Sequence, residues 1–289
     1  MPLKLSSKNM ENATLEKIIK QNGVDLFGVA DFEKLTPVNQ RLYDTLKQKG
    51  AKSVIVLALP YKSGHKQKDK FNMSAYARVR DYHARFAALF ESLARDLEAA
   101  FPGCFFDSYS DRSPINEKEA ALLAGLGIRG LNTLLITKKY GTFVFLGGVI
   151  TDKLFAPADA APKACAGCDK CVKLCPTGAL TVSGGYAFLD REKCLSAVSQ
   201  KTKKSPDELE LLKKHKVVWG CDICQDVCPY NRDIALCGDD YFINGFIGDI
   251  SYDFIKNMPD EVFSLYPFSW RKKEVILENL SLFSGEDIT

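Results

Sequence analysis

Eight of the ten cysteines in this 289-residue chain stand at spacings that can do chemistry. Cys165, Cys168, Cys171 and Cys175 form C-x-x-C-x-x-C-x-x-x-C closed by Pro176, the run in which three thiolates hold one iron–sulfur cubane and the fourth reaches to another. Cys221, Cys224 and Cys228, closed by Pro229, repeat that pattern without its first member, and Cys194 is the obvious replacement. Crossed ligation assigns Cys165, Cys168, Cys171 and Cys228 to one 4Fe-4S cluster and Cys175, Cys194, Cys221 and Cys224 to the other. Zinc competes for such thiols, but zinc sites pair their ligands as C-x-x-C knuckles, without a third close cysteine or a repeated Cys-Pro ending. Two clusters make the chain an electron-transfer or redox-catalytic protein. Cys104, in an apolar strand, and Cys237, at no ligand spacing, read as small buried apolar residues.

The rest of the chain must position those thiols. With 46% hydrophobic and 26% charged residues the composition is that of an ordinary globular protein and excludes long disorder, and a net charge of +3 does not by itself argue for nucleic-acid binding. The first residues have no apolar core of signal-peptide length, and no apolar run reaches about 18 residues. A cytoplasmic protein without membrane contact is expected, in a compartment that keeps thiols reduced and available as ligands. A monomer is expected.

Helical and strand patterns alternate through the first half. Residues 14–22 read as a helix, 23–30 as a buried strand, and a helix precedes Gly50. Ser53–Pro60, apolar on both faces, reads as a parallel-type strand. Residues 75–100 have helical periodicity, 104–111 are a strand candidate, and Pro114 through Gly127 opens and closes as a helix does. Two β segments, 131–137 and 142–151, joined by Lys-Lys-Tyr-Gly, read as a hairpin. The Ala/Pro-rich stretch 156–164 reads as a linker. The expected architecture is an α/β domain over 1–155, an α+β ferredoxin-like double-cluster domain over 156–240 and a helical extension over 241–289. Gly125-Leu-Gly127-Ile-Arg-Gly130 matches a dinucleotide fingerprint but follows a helix and precedes a strand, the wrong context, so a helix-ending turn is expected. Nothing else suggests a nicotinamide or flavin site, so an external electron-donor protein of ferredoxin or flavodoxin type is expected. The lysine-rich stretch 200–216, with acidic residues interspersed, reads as a solvated charged helix.

The segments GCDICQDVCPYN (220–231), CVKLCPTGAL (171–180), YARVRDYH (76–83), DRSPINEK (111–118), GLGIRGLNTLLI (125–136) and YGTFVFLGGVITD (140–152) resemble, in this order, the epoxyqueuosine reductase family. The resemblance spans most of residues 24–235. It implies a cobalamin-binding N-terminal domain, clusters that pass single electrons to cobalt, and reduction of epoxyqueuosine to queuosine in tRNA. It implies Asp111 as catalytic proton donor, held protonated by burial, and places Arg41, Ser74, Asp111, Leu135 and Leu146 toward the corrin, with His83 and His65 as further polar contacts. A helix N-cap is the structural alternative for Asp111. Family members commonly continue into helical repeats that help hold tRNA, and at 289 residues the chain reads as a short form without them. Two other functions stay open, a corrinoid reductase acting on another small molecule in the manner of reductive dehalogenases, and a non-catalytic electron carrier.

Overall fold

The computed structural model describes residues 7–283. At its centre is a four-stranded sheet in the order Phe27–Asp31, Ser53–Pro60, Val144–Thr151 and Phe106–Tyr109, with every neighbouring pair antiparallel. Side chains alternate across Ser53–Pro60, so Ile55, Leu57 and Leu59 face one way and Val54 and Val56 the other. The first face packs against helices α1 (Ser7–Gln21) and α3 (Tyr82–Ala100) through Leu15, Ile19, Phe86, Leu93 and Leu97. The second packs against α2 (Gln40–Gln48) and α4 (Glu117–Leu123) through Tyr43, Leu46, Ala120 and Ala121. Helices on both faces explain the unbroken apolar run. The expected parallel direction is corrected, because a run buried on both faces reports its cover and not the direction of its neighbours.

The expected hairpin is also corrected. Leu135–Ile136 pairs with Ile128–Arg129 in a separate small sheet, whereas Val144–Thr151 enters the central sheet. The bridge Thr137↔Gly141 closes the turn, and among the described residues no strand pairing joins the two segments. The 75–100 stretch is a short 3-10 turn, Ala75–Arg78, followed by α3, whose N-cap Asp81 accepts the His83 N–H. That break sets Tyr82 and His83 at a helix start. The turn after α4 is a helix ending at Gly125 (φ +74), and a Cβ on Gly127 would lie 2.2 Å from the Ile136 carbonyl oxygen, so close backbone approach explains these glycines.

Residues 156–164 carry no helix and at most an isolated bridge, as a linker should. The cysteine-bearing region beyond them is tied back into the first module, because Val217–Trp219 runs parallel to Asn72–Met73. It also carries a ribbon, Leu180–Ser183 against Tyr186–Leu189, whose turn uses Gly184 and Gly185 at φ +57 and +80. The lysine-rich stretch holds a helix, Pro206–Lys214, with a capping box between Ser205 and Glu208. Short helices follow at Asp240–Ile243, Tyr252–Asn257, Asp260–Phe263 and Lys273–Ser281. The last three share a core with Phe71, Met73, Val218 and Trp219, whereas Phe242 of the first packs in the core of α1 and α3. No helix among the described residues is long and apolar enough to cross a membrane.

The seating of α4 depends on Gly28, where a Cβ would fall 2.2 Å from the Ala124 carbonyl oxygen. Gly28→Ala is expected to destabilise the protein by about 1–3 kcal/mol in urea denaturation. Unchanged stability would show that the helix can back away freely.

Candidate functional site

The cysteines gather in the two expected groups. Cys171 feels the charges of Cys165, Cys228 and Cys168, and Cys228 those of Cys168 and Cys165. Cys224 feels Cys221 and Cys194 most among the thiols, and Cys175 stands with these three on the wall of one cavity. Short helical turns, Lys170–Lys173, Leu195–Val198 and Ile223–Asp226, aim them inward. Burial pushes the Cys171 and Cys221 thiols up to about 11 and Cys224 higher still. Bare thiolates are costly in such surroundings, so this donor set suits iron that neutralises them. Among the described residues no three such side chains converge tightly enough for a single metal ion. Cys104 packs against the core and Cys237 is buried within it, as small apolar residues do.

One carboxylate binds this region to the first module. Asp222, buried, accepts hydrogen bonds from Ser74 Oγ at 2.6 Å, the Ala75 N–H at 2.7 Å and Gln225 Nε2 at 2.6 Å. Burial pushes its pKa up, and the three donors pull the other way. Asn72 Nδ2 donates to Cys221 Sγ at 3.6 Å, the kind of hydrogen bond that tunes a cluster's potential.

The cavity beside the second cysteine group has a volume of about 820 Å³. Tyr61, Val144, Phe145 and Leu180 give it apolar walls, and Asn132, Thr142 and Gln225 a few polar groups. Such lining fits a large planar cofactor fixed by a small number of polar contacts. Thr142 Oγ1 donates to Gln225 Oε1 at 2.8 Å, so the polar lining is itself held in place.

Tyr82, His83 and Asp111 line the same cavity. Tyr82 stacks on Phe145 with centroids 4.2 Å apart, and its hydroxyl donates to Asp111 Oδ2. His83 Nε2 lies 3.2 Å from that same oxygen, and its Nδ1 lies 2.7 Å from Asp81 Oδ1. Asp111 adopts φ 59, a left-handed conformation uncommon for any residue but glycine. Its N–H donates to Glu117 Oε1 at 3.0 Å. The helix N-cap is Asn116, so Asp111 is not a cap.

This geometry moves the proton. His83 and then Tyr82 hold Asp111 below its usual carboxylate value, and partial burial does not offset them. Asp111 and then Asp81 raise His83 to about 10. The expectation that burial keeps Asp111 protonated is therefore corrected. The carboxyl that burial does raise is Glu117, to about 7, with the charge of Asp111 as second cause.

The remaining expected cofactor contacts scatter. Ser74 lines the cavity, with its hydroxyl committed to Asp222. Arg41 is exposed on α2, Leu135 lies in the core, and Leu146 packs against that core, so these three are not among the cavity-lining residues. His65 stacks on Phe246 instead. Asp222, Gln225 and Glu117 escaped the sequence reading, although each sits inside a segment that it singled out.

Residues 41–111 match the family model described as epoxyqueuosine reductase QueG, DUF1730, and residues 164–231 match the 4Fe-4S double cluster binding domain. An epoxyqueuosine reductase of Gloeobacter violaceus is 39% identical over 186 residues, covering 63% of this chain and 57% of the relative. One from Listeria monocytogenes is 36% identical over 224 residues, covering 75% and 57%. The chain thus spans a little over half the length of these curated relatives. The structure of epoxyqueuosine reductase from Streptococcus thermophilus superposes with a TM-score of 0.78 at 24% identity, over 95% of this chain and 80% of that one. An epoxyqueuosine reductase solved with an epoxyqueuosine-modified tRNA-Tyr stem loop gives 0.76 at 24% identity, over 94% and 80%. At that identity the likeness establishes the fold.

The His83–Asp111 pair fixes a pH dependence. Lowered Asp111 contributes stability above its ordinary 3.8 and loses it as pH falls through its depressed value, while raised His83 contributes below 6.5 and loses it as pH rises through about 10. Both side chains are 52% exposed, so solvent screens the effect on stability. NMR of the imidazole is expected to show a midpoint near 10, dropping in Asp111→Asn, with the Glu117 midpoint near 7 dropping in the same variant. Midpoints that ignore the substitution would dissolve the pair.

Proposed function

From its place among the epoxyqueuosine reductases, to which its matched segments assign it, we propose that this chain is a cobalamin- and iron–sulfur-dependent oxidoreductase that reduces epoxyqueuosine to queuosine in tRNA. The observation that carries the reading is one cavity lined both by four cysteines and by the His83–Asp111 pair. Cys175, Cys194, Cys221 and Cys224 would hold the cluster nearer the cavity, and Cys165, Cys168, Cys171 and Cys228 the cluster beyond it. Removing an epoxide oxygen as water takes two electrons and two protons. The clusters release electrons singly, and a corrinoid in the cavity would supply the cobalt through which they reach the substrate.

The apolar walls at Tyr61, Val144 and Phe145 would exclude water from the bound cofactor, and Asn132, Thr142 and Gln225 would supply polar contacts. His83 keeps its proton at neutral pH and lies within reach of Asp111, so the pair can deliver a proton to the departing oxygen, with Asp111 positioning it and Tyr82 orienting the carboxylate. Glu117, which burial pushes up to about 7, accepts the Asp111 N–H at 3.0 Å and so helps to hold the Asp111 backbone in place. Electrons would come from a separate donor protein of ferredoxin or flavodoxin type.

Protein reconstituted without oxygen is expected to contain about eight iron atoms per chain, as two cubanes require, and to take up cobalamin with a change in its visible spectrum. Iron without cobalamin uptake would leave an electron carrier in place of an enzyme. Asp111→Asn is expected to lower turnover of epoxyqueuosine in tRNA by about 100-fold or more, the scale of losing acid–base assistance. Undiminished turnover would remove Asp111 from the reaction. Cys224→Ser is expected to abolish the electron paramagnetic signal of one reduced cluster and retain the other; loss of neither would break the assignment.

A further inference from the structure

A side chain from the first module reaches a cysteine of the second. Asn72 opens the strand Asn72–Met73, its N–H donates to the Lys216 carbonyl at 2.8 Å, and it pairs with Val217, on the strand that leads to Cys221. That register sets the half-buried Asn72 amide beside the cysteine, and Nδ2 donates to Cys221 Sγ at 3.6 Å across 149 positions of sequence. Sulfur is larger than oxygen and accepts over longer distances. The Thr177 hydroxyl lies 3.9 Å from Cys175 Sγ, so both of these side-chain contacts fall on the cavity-side group. In the outer group Cys171 and Cys228 take bonds from backbone N–H groups, those of Val172 and of Tyr230 and Asn231.

Backbone donors come with the cysteine loop itself, whereas a side-chain donor from a distant segment depends on one residue. Its effect has a definite sign. Reducing a cubane adds a negative charge that spreads onto the ligand sulfurs, and a donor aimed at a sulfur stabilises that charge and raises the potential. Burial and nearby anions do the reverse. Burial already pushes the Cys221 and Cys224 thiols up, and the buried Asp222 carboxylate stands between them in the chain. Both oppose a further charge on this cluster. The Asn72 amide favours it.

We propose that Asn72 sets the potential of the cavity-side cluster, its hydrogen bond to Cys221 holding that cluster high enough to draw electrons from the outer one. One electron leaves the reduced outer cluster and enters the oxidised cavity-side cluster, with no bond made or broken, and a donor protein of ferredoxin or flavodoxin type refills the outer cluster. The proposal rests on the cluster assignment of the reductase reading and adds a positioning residue that lies outside every cysteine motif and acts through Cys221. Because Asn72 belongs to the first module, the cluster has its working potential only while the two modules are joined.

The test is a redox titration of the reconstituted full chain followed by electron paramagnetic resonance, with Cys224→Ser identifying the cavity-side signal. Asn72→Leu, similar in volume but without a donor, is expected to lower the cavity-side midpoint and leave the outer midpoint in place. The equilibrium constant for electron transfer between the clusters should fall about tenfold, the scale of one hydrogen bond and equivalent to about 59 mV for one electron. Asn72→Asp, the same shape with a negative charge in place of the donor, should lower it further. Iron content and circular dichroism confirm that each variant assembles both clusters. In the unsubstituted chain, asparagine labelled with nitrogen-15 should add a nitrogen coupling to the reduced cavity-side signal, a readout that needs no variant. A missing coupling would overturn the proposal, as would a cavity-side midpoint unchanged in both variants. Two midpoints that move together would also overturn it, since they would make Asn72 a structural residue of the whole cysteine region. The titration needs neither cobalamin nor tRNA. A chain that takes up no cobalamin yet shows the selective shift would sink the reductase reading and uphold this role, and cobalamin uptake with unmoved midpoints would do the opposite.

Discussion

A carboxylate buried between two parts of a protein is expensive unless donors surround it, and Asp222 is surrounded: Ser74 and Ala75 from the first module and Gln225 from its own turn all bond to it. Leaving a buried acceptor without its donor typically costs about 1–3 kcal/mol, and more where the group is charged, so the contact is costly to break once formed. Its position makes it matter beyond stability. Asp222 lies between Cys221 and Cys224, and anchoring it to Ser74 and Ala75 sets two cluster ligands against the cavity wall. Gly220, at φ +70, lets the chain pass close to Ser74, where a Cβ would fall 2.5 Å from that of the serine. Gln225 extends the anchor to Thr142, which also meets Asn231. The cavity, the second cysteine group and the end of the cysteine motif are thus positioned by one connected set of hydrogen bonds.

The Tyr82, His83 and Asp111 lining of the cavity is organised by charge as well as by burial. Three carboxylates, Asp81, Asp111 and Glu117, share one imidazole. Two of them sit within ion-pair distance of His83, and the third, Glu117, is pushed up to about 7 by burial first and by the charge of Asp111 second. Like charges that cannot all ionise equally divide into roles, and here the division leaves Asp111 charged and Glu117 titratable. Because Asp111 is held in a left-handed conformation, its side-chain direction is set by the backbone as well as by its partners.

The grouping of the cysteines was legible in the sequence because their close spacing is a property of the local chain. Buried segments were legible too, since apolar runs report burial. Strand direction was not: Ser53–Pro60 is buried on both faces by helices, the same pattern a parallel strand would show. The false hairpin arose because the turn at Thr137–Gly141 is tight while its flanking segments enter different sheets, a long-range choice. Gly184-Gly185 was a true hairpin signal that went unread. Arg41, Leu135 and Leu146 rested on offset from a motif, which fixes a position along the chain but not where a side chain points. Asp222 hid in the variable position of C-x-x-C, and Glu117 beside an aspartate that drew the attention.

The region after the cysteines completes the argument about positioning. Val217–Trp219 is only three residues long, and a pairing that short with Asn72–Met73 could not by itself hold the second cysteine group in register. The helix Lys273–Ser281 holds it from the other side. Asn279, fully buried, donates to the carbonyls of Ser199 and Val218, at 2.8 Å each, and so bridges the Cys194 and Cys221 segments. Trp219 and Phe268 meet edge to face beneath it, and Trp270 reaches the cavity rim, where its indole donates to Gln200. A residue far along the chain from these cysteines thereby ties together the segments that carry Cys194 and Cys221. Since electron transfer depends steeply on where a cluster sits, the C-terminal helices are part of the redox apparatus, although none of them supplies a ligand.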